Sequence, residues 1–244
     1  ILVIVGAIIL CFRVIYGKKM HVEESAKLSI LALDEKKEIK DVKLLHKSVV
    51  MIVLVILGFV FHGTLGIESS VVALTAAAIM LLIGKQDIEK IFSEIEWTTI
   101  IFFIGLFVVV GGMVEVGIID TLANMLMNAT GGELILTMLI LLWGSAIISS
   151  ILDNIPFVAT IIPIILTLES SGINVMPLWW AISLGACLGG NGTLIGASAN
   201  VVLSGISNKK GYPITFMSYL KVGYPIMLIT IVISTIYLIL RYGL

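Results

Sequence analysis

The residues with the most chemical potential in this sequence sit where polar chemistry is costly. Residues 149–156 read SSILDNIP, with long apolar arms on both sides. Asp153 is a carboxylate between those arms. A carboxylate in hydrocarbon must be paired, protonated or bound to a cation. A carboxylate in that position suits proton or sodium coupling. The plain alternative is capping, because Asp153 and Asn154 ahead of Pro156 are ordinary helix-start residues. Ser149 and Ser150 either offer hydroxyl ligands or bond back to their own helix.

A second polar interruption reads LGGNGTLIGASAN over residues 188–200. Asn191, Thr193, Ser198 and Asn200 supply oxygen ligands or donors there. Gly189, Gly190 and Gly192 permit close backbone approach. Helix packing is the alternative, since Gly185-x-x-x-Gly189 and Gly192-x-x-x-Gly196 match small-residue interfaces. Backbone that leaves the helix at membrane depth is tolerated only in protein or beside a cavity. Two such interruptions close together mark a secondary-transporter site. The carbonyl end of one half-helix coordinates cations, and the N–H end of another attracts anions.

The surrounding elements must be membrane helices. Of 244 residues, 59% are hydrophobic and 13% charged, and the mean hydropathy is +1.16. These values exclude a soluble domain, a disordered chain and a basic nucleic-acid binder. Long uninterrupted apolar runs exclude the alternating strands of an outer-membrane barrel. The runs cover residues 1–16, 48–63, 70–84, 97–128, 134–169, 178–207 and 222–241. The first is read as the end of a preceding span, since it lacks the basic flank and cleavage site of a signal peptide.

Residues 17–47 carry mixed charge and are read as a cytoplasmic linker with an amphipathic helix. The positive-inside rule then orients the spans. A single crossing by 97–128, interrupted at Gly111, Gly112 and Gly117, puts all 15 Lys and Arg residues except Arg241 on the cytoplasmic side. Two crossings would reverse the later loops. Residues 134–169 are read as a re-entrant hairpin with SSILDNIP at its tip; two full spans would give the same parity. Residues 178–207 form a broken helix. The segment 86–96 is amphipathic and leads along the interface to Trp97.

The other polar residues carry less. Glu115, Asp120, Glu133 and Glu169 are expected in water, and His62 at a membrane edge. Cys11 and Cys187 are read as small core residues, with no metal site. Asn128-Ala-Thr130 matches a glycosylation acceptor, a pattern common by chance. No Walker motif, zinc-ligand motif or nucleophile elbow is present.

DNIPFVATIIPII followed by LGGNGTLIGASAN resembles the ion transporter superfamily. The nearer branch holds the arsenite permeases, the NhaD-type sodium/proton antiporters and the melanosomal P protein. EWTTIIFFIGLFVVVGG, residues 96–112, is similar to that branch as well. The resemblance spans about residues 48–242. It implies two inverted repeats, each with a re-entrant hairpin and a broken helix, of which only the second stands here. It also implies that Ser149–Pro156 and Gly190–Asn200 form one half-site for ion and substrate. The dicarboxylate branch carries Ser-Asn-Thr at its hairpin tips. Asp153-Asn154-Ile155-Pro156 departs from that, which argues against transferring dicarboxylate specificity.

The reading is an all-α integral membrane protein, the C-terminal repeat (48–244) of an elevator-type secondary transporter. The scaffold helices are 48–63, 70–84 and 222–241. The cargo is an inorganic ion or small anion, coupled to sodium or protons. The expected ligands are Ser149, Ser150, Asp153, Asn154, Pro156, Gly190, Asn191, Gly192, Thr193, Ser198 and Asn200. No cofactor beyond the coupling ion is expected. Expected partners are the lipid bilayer, the missing N-terminal half or a second copy in a homodimer, and a separate ATPase if the protein is arsenite-type. No nucleic acid is expected. The expected location is a prokaryotic plasma membrane. A channel-like or structural membrane subunit is the rival. An intramembrane enzyme lacks a second membrane aspartate or a Ser/His pair.

Overall fold

The computed structural model describes residues 2–17, 41–85, 87–209 and 211–243, with the single positions 24, 28, 31 and 39. The expected linker helix in 17–47 falls largely outside the described residues. Helices account for nearly all of what is described, and no strand occurs among the described residues. The chain divides into two compact units: residues 21–97, and residues 1–20 together with 98–244.

Helix α1 (Leu2–Tyr16) belongs to the larger unit, and the helices of the smaller unit follow it in chain order. Helix α2 (Val42–Leu65) starts at Asp41, whose carboxylate accepts from the N–H groups of Lys43 and Leu44 at 2.9 and 3.0 Å. It stops at Gly66, where φ of 63° takes the chain left-handed. It packs against α3 (Ser69–Gly84) through Gly58, where a Cβ would meet the Val72 side chain at 2.6 Å. The short α4 (Ile88–Glu94) follows, capped by Asp87. The Trp97 indole N–H donates to the Phe92 carbonyl at 2.9 Å and turns the chain into the next helix.

Helix α5 (Trp97–Glu115) is a continuous apolar helix of 19 residues. Gly111 and Gly112 lie inside it. The expectation that they mark an interruption is therefore corrected. The chain leaves the helix only at Gly117, whose φ of 75° disfavours any residue with a Cβ. Neither Gly111 nor Gly112 has such a dihedral, and helical hydrogen bonding tolerates glycine at modest cost. Helix α6 (Ile118–Thr130) is a separate amphipathic element that buries Ile119, Ala123 and Thr130. Thr130 donates its hydroxyl to the carbonyls of Leu126 and Met127, so the Asn128 acceptor pattern lies in a helix with its threonine buried.

At Gly131–Glu133 the chain bends by 119° into α7 (Leu134–Ser149). Helices α8 (Asn154–Ser170), α9 (Met176–Gly189), α10 (Ser198–Lys209) and α11 (Phe216–Tyr242) complete the larger unit. Helix α7 is central, with α9, α11, α8 and α6 packed on it. Met138, Leu142, Ile165, Leu168, Leu178, Ile182, Met227 and Ile231 form the core among them. Two polar ties cross the unit: Trp143 donates to the Thr235 hydroxyl at 3.0 Å, and Thr167 to the Asp120 carboxylate at 3.2 Å.

Among the described residues, α2, α5 and α11 are long and apolar enough to cross a bilayer, with α6 plus α7 a fourth if that bent pair is one span. Helices α7, α8 and α9 have 16, 17 and 14 residues. At 1.5 Å per residue they fall short of a hydrocarbon core of about 30 Å. The last scaffold helix begins at Phe216, earlier than the apolar run, because Thr215 caps it by accepting from the Ser218 N–H at 3.2 Å.

Candidate functional site

Both interruptions are real ends of helices, and they meet. Helix α7 ends at Ser149 and α8 starts at Asn154. Helix α9 ends at Gly189, and the chain stays out of α-helix until Ser198. Glycine explains how the two helices come so close. A Cβ on Gly185 would stand 2.4 Å from the Leu142 carbonyl oxygen, and one on Gly189 would stand 2.4 Å from that of Ala146. Real side chains do not tolerate such distances, so α7 and α9 touch backbone to backbone. Packing is thus what Gly185 and Gly189 do.

Hydrogen bonds then join the two ends. The buried Ser149 hydroxyl donates to the Ala186 carbonyl at 2.8 Å. The buried Thr193 hydroxyl donates to the Ser150 carbonyl and accepts from the Gly196 N–H, the latter at 3.1 Å. The Asn200 amide donates to the carbonyls of Gly190 and Thr193 at 3.1 and 3.2 Å, which folds the break into a closed loop. Gly192 and Gly196 fit under it. A Cβ on Gly196 would lie 2.8 Å from both the Gly190 and Ser150 carbonyl oxygens. A Cβ on Gly192 would lie 3.0 Å from that of Ser150.

This geometry sorts the expected site residues. Ser149, Thr193 and the Asn200 amide nitrogen are committed to holding the junction. The Ser150 hydroxyl donates to its own helix, at the Ile147 carbonyl, 2.7 Å away. Pro156 stands in the first turn of α8, where a missing N–H costs nothing. Asp153 caps α8: one carboxylate oxygen accepts from the Ile155 N–H at 3.1 Å. Its second oxygen has no partner among the described residues, so capping leaves a ligand atom free. The side chains of Asn154, Asn191 and Ser198 also make no hydrogen bond among the described residues, and Asn191 and Ser198 are exposed. The atoms available to a ligand are therefore those of Asp153, Asn154, Asn191, Ser198 and the Asn200 side-chain oxygen. Gly190 and Gly192 are taken up by packing within the break, where a Cβ on the first would meet the Gly196 carbonyl oxygen at 2.9 Å and one on the second the Ser150 Cβ at 3.0 Å.

Sequence reasoning missed the difference between committed and free hydroxyls, which depends on neighbours from another helix. It also misplaced Cys187. That residue is exposed on α9, whereas Cys11 is half-buried. No cluster of metal-binding side chains occurs among the described residues.

Short helices that meet at their ends thus lie inside an apolar helical unit. The comparisons with known proteins give the family. The citrate transporter family matches residues 1–185, and the chain belongs to it, within the ion transporter superfamily. An uncharacterized transporter of Mycobacterium tuberculosis is 38% identical over 245 residues, covering 99% of this chain and 57% of that protein. A 46 kDa membrane protein of Mycobacterium leprae is 40% identical over 220 residues, covering 87% of this chain and 50% of its own. The human P protein is 36% identical over 226 residues, covering 88% of this chain and 27% of its own. The chain thus spans about half the length of the mycobacterial relatives it matches. No solved structure matches.

Proposed function

We propose that this chain is the substrate-handling part of a secondary active transporter for an inorganic ion or small anion, coupled to protons or sodium. In this reading α7 and α8 form a re-entrant hairpin. The hairpin and the broken α9–α10 segment carry the cargo together, in an elevator-type motion. One observation carries the reading: the Thr193 hydroxyl holds the Ser150 carbonyl, so two helix breaks form one junction rather than two separate defects. In this reading Asp153, whose other carboxylate oxygen caps α8, supplies a charged ligand at the first break. Such a junction binds ions without many charged side chains.

The family's description names citrate, and we extend that to this chain only as the class of small anions. The location in this reading is a prokaryotic plasma membrane, consistent with the mycobacterial relatives. A second copy or a further half completes the transport unit.

Flux into proteoliposomes holding the full protein tests the proposal. Citrate, arsenite and chloride are offered in turn, and proton and sodium gradients are imposed separately. The expected result is saturable uptake of one of them, raised by one gradient and abolished when that gradient is collapsed. Non-saturating flux indifferent to both gradients contradicts it and favours a channel-like subunit.

A further inference from the structure

Among the described residues, eight Ser and Thr side chains are buried. Seven of them donate to a carbonyl. Thr137, Thr230 and Ser234 do so within their own helices, and Ser149 and Thr193 across an interface. The eighth is Ser145 on α7. It is 2% exposed, and its oxygen is sealed from solvent with no hydrogen-bond partner among the described residues. Such a hydroxyl gives up its bond to water and regains nothing, so buried groups of this kind are rare and mark strain or function.

Ser145 lies in the close α7–α9 contact. The two helices run in the same direction there, because Gly185 faces Leu142 and Gly189 faces Ala146. Ser145 stands one turn before Ser149, and its Cβ is 2.8 Å from where a Cβ on Gly185 would be. It therefore faces α9, as Ser149 does. Ser149 donates to the Ala186 carbonyl, 37 residues further on. The same offset from Ser145 leads to the carbonyl of Ile182, a buried residue of α9. The contact is thus bonded at the junction and unbonded one turn away from it. Gly185, Gly189 and Ala146 present no long side chain to interlock, so a small roll or slide of one helix on the other is open.

We infer that Ser145 is a positioning residue for transport: its hydroxyl takes up the Ile182 carbonyl in a second arrangement of α7 against α9, of which the unbonded arrangement is the counterpart. The Ser149–Ala186 bond is the pivot between them. The inference rests on the chain being part of a transporter, which passes between at least two arrangements. One bond gained or lost weights the pair by about 5- to 30-fold, enough to tip a balanced equilibrium without locking it.

The test compares Ser145→Ala with Ser149→Ala in the full protein. The two serines share a helix, a face and full burial, and differ in whether the hydroxyl is bonded. In detergent, Ser145→Ala should raise Tm by about 2 °C or more, and Ser149→Ala should lower it. A lowered Tm for Ser145→Ala would overturn the inference, since the hydroxyl would then be bonded in the resting state. This arm needs no substrate and is decided apart from the transport reading. Citrate uptake into proteoliposomes is the second arm. Ser145→Ala should lower the maximal rate by about 5- to 30-fold and leave KM unchanged, because the bonded arrangement is lost and no ligand contact is touched. An unchanged maximal rate, or a raised KM at an unchanged rate, would overturn the positioning role. Wild-type flux that does not saturate fails the transport reading and the positioning role with it, while the Tm comparison still shows whether the hydroxyl is unbonded.

Discussion

Asp153→Asn protein is expected to fold and insert normally and to lose gradient-driven uptake by about 10- to 100-fold. The magnitude follows from removing a charged ligand interaction of roughly 1.5–3 kcal/mol. The substitution separates two roles that Asp153 holds at once. Its cap on the Ile155 N–H needs only a side-chain oxygen, and Asn supplies one with nearly the same strength. Its charge, on the oxygen left free, has no structural partner among the described residues. Unchanged thermal stability alongside lost uptake assigns the residue to ion or proton coupling. Asp153→Ala should add a stability loss of about 1 kcal/mol from the missing cap. Full pH- or sodium-driven transport in Asp153→Asn would remove Asp153 from the coupling mechanism.

Gly189→Ala should be more damaging than its single methyl suggests. The added carbon would stand 2.4 Å from the Ala146 carbonyl oxygen and 2.7 Å from its Cα. Both belong to backbone in the middle of the core, so neither can swing aside. Helices α7 and α9 must separate, and the Ser149–Ala186 and Thr193–Ser150 bonds lengthen with them. Overpacking of this kind costs about 1–3 kcal/mol or more. Gly144→Ala, on α7, is the control, because a Cβ there meets nothing within 4 Å. It should be neutral or stabilise by up to about 1 kcal/mol, as alanine does in a helix interior. Thermal unfolding in detergent reads both. Equal effects of the two substitutions would mean that the close α7–α9 contact does not support the junction.

Much of this was legible in the sequence, for identifiable reasons. Polar side chains within apolar runs announce where helices stop. SSILDNIP and GGNGTLIGASAN stand out for that reason, and α7 ends at Ser149 and α9 at Gly189. Composition gives a membrane protein, and the long uninterrupted apolar runs make it helical. Glycine is less readable. Gly111 and Gly112 look like a break but lie in α5, whereas Gly117 makes the turn, and only its dihedral separates them. Individual polar groups are least readable of all. Ser149 and Asn154 both stand among the ligands expected from sequence, yet the first donates to Ala186 across a helix interface and the second makes no side-chain hydrogen bond among the described residues. Cys187 was indistinguishable from a core cysteine because its run is apolar, and only the packing side of α9 shows it exposed.

The central claim is that the two breaks hold one ligand between them. Asn154 belongs to the first break and Asn191 to the second, and neither amide is used by the fold among the described residues. A double-mutant cycle with Asn154→Ala and Asn191→Ala, read as KM for the transported anion, tests the claim most directly. Shared binding predicts that the two losses couple by more than about 0.5 kcal/mol. Losses that add within about 0.3 kcal/mol would contradict it, since independent sites behave that way.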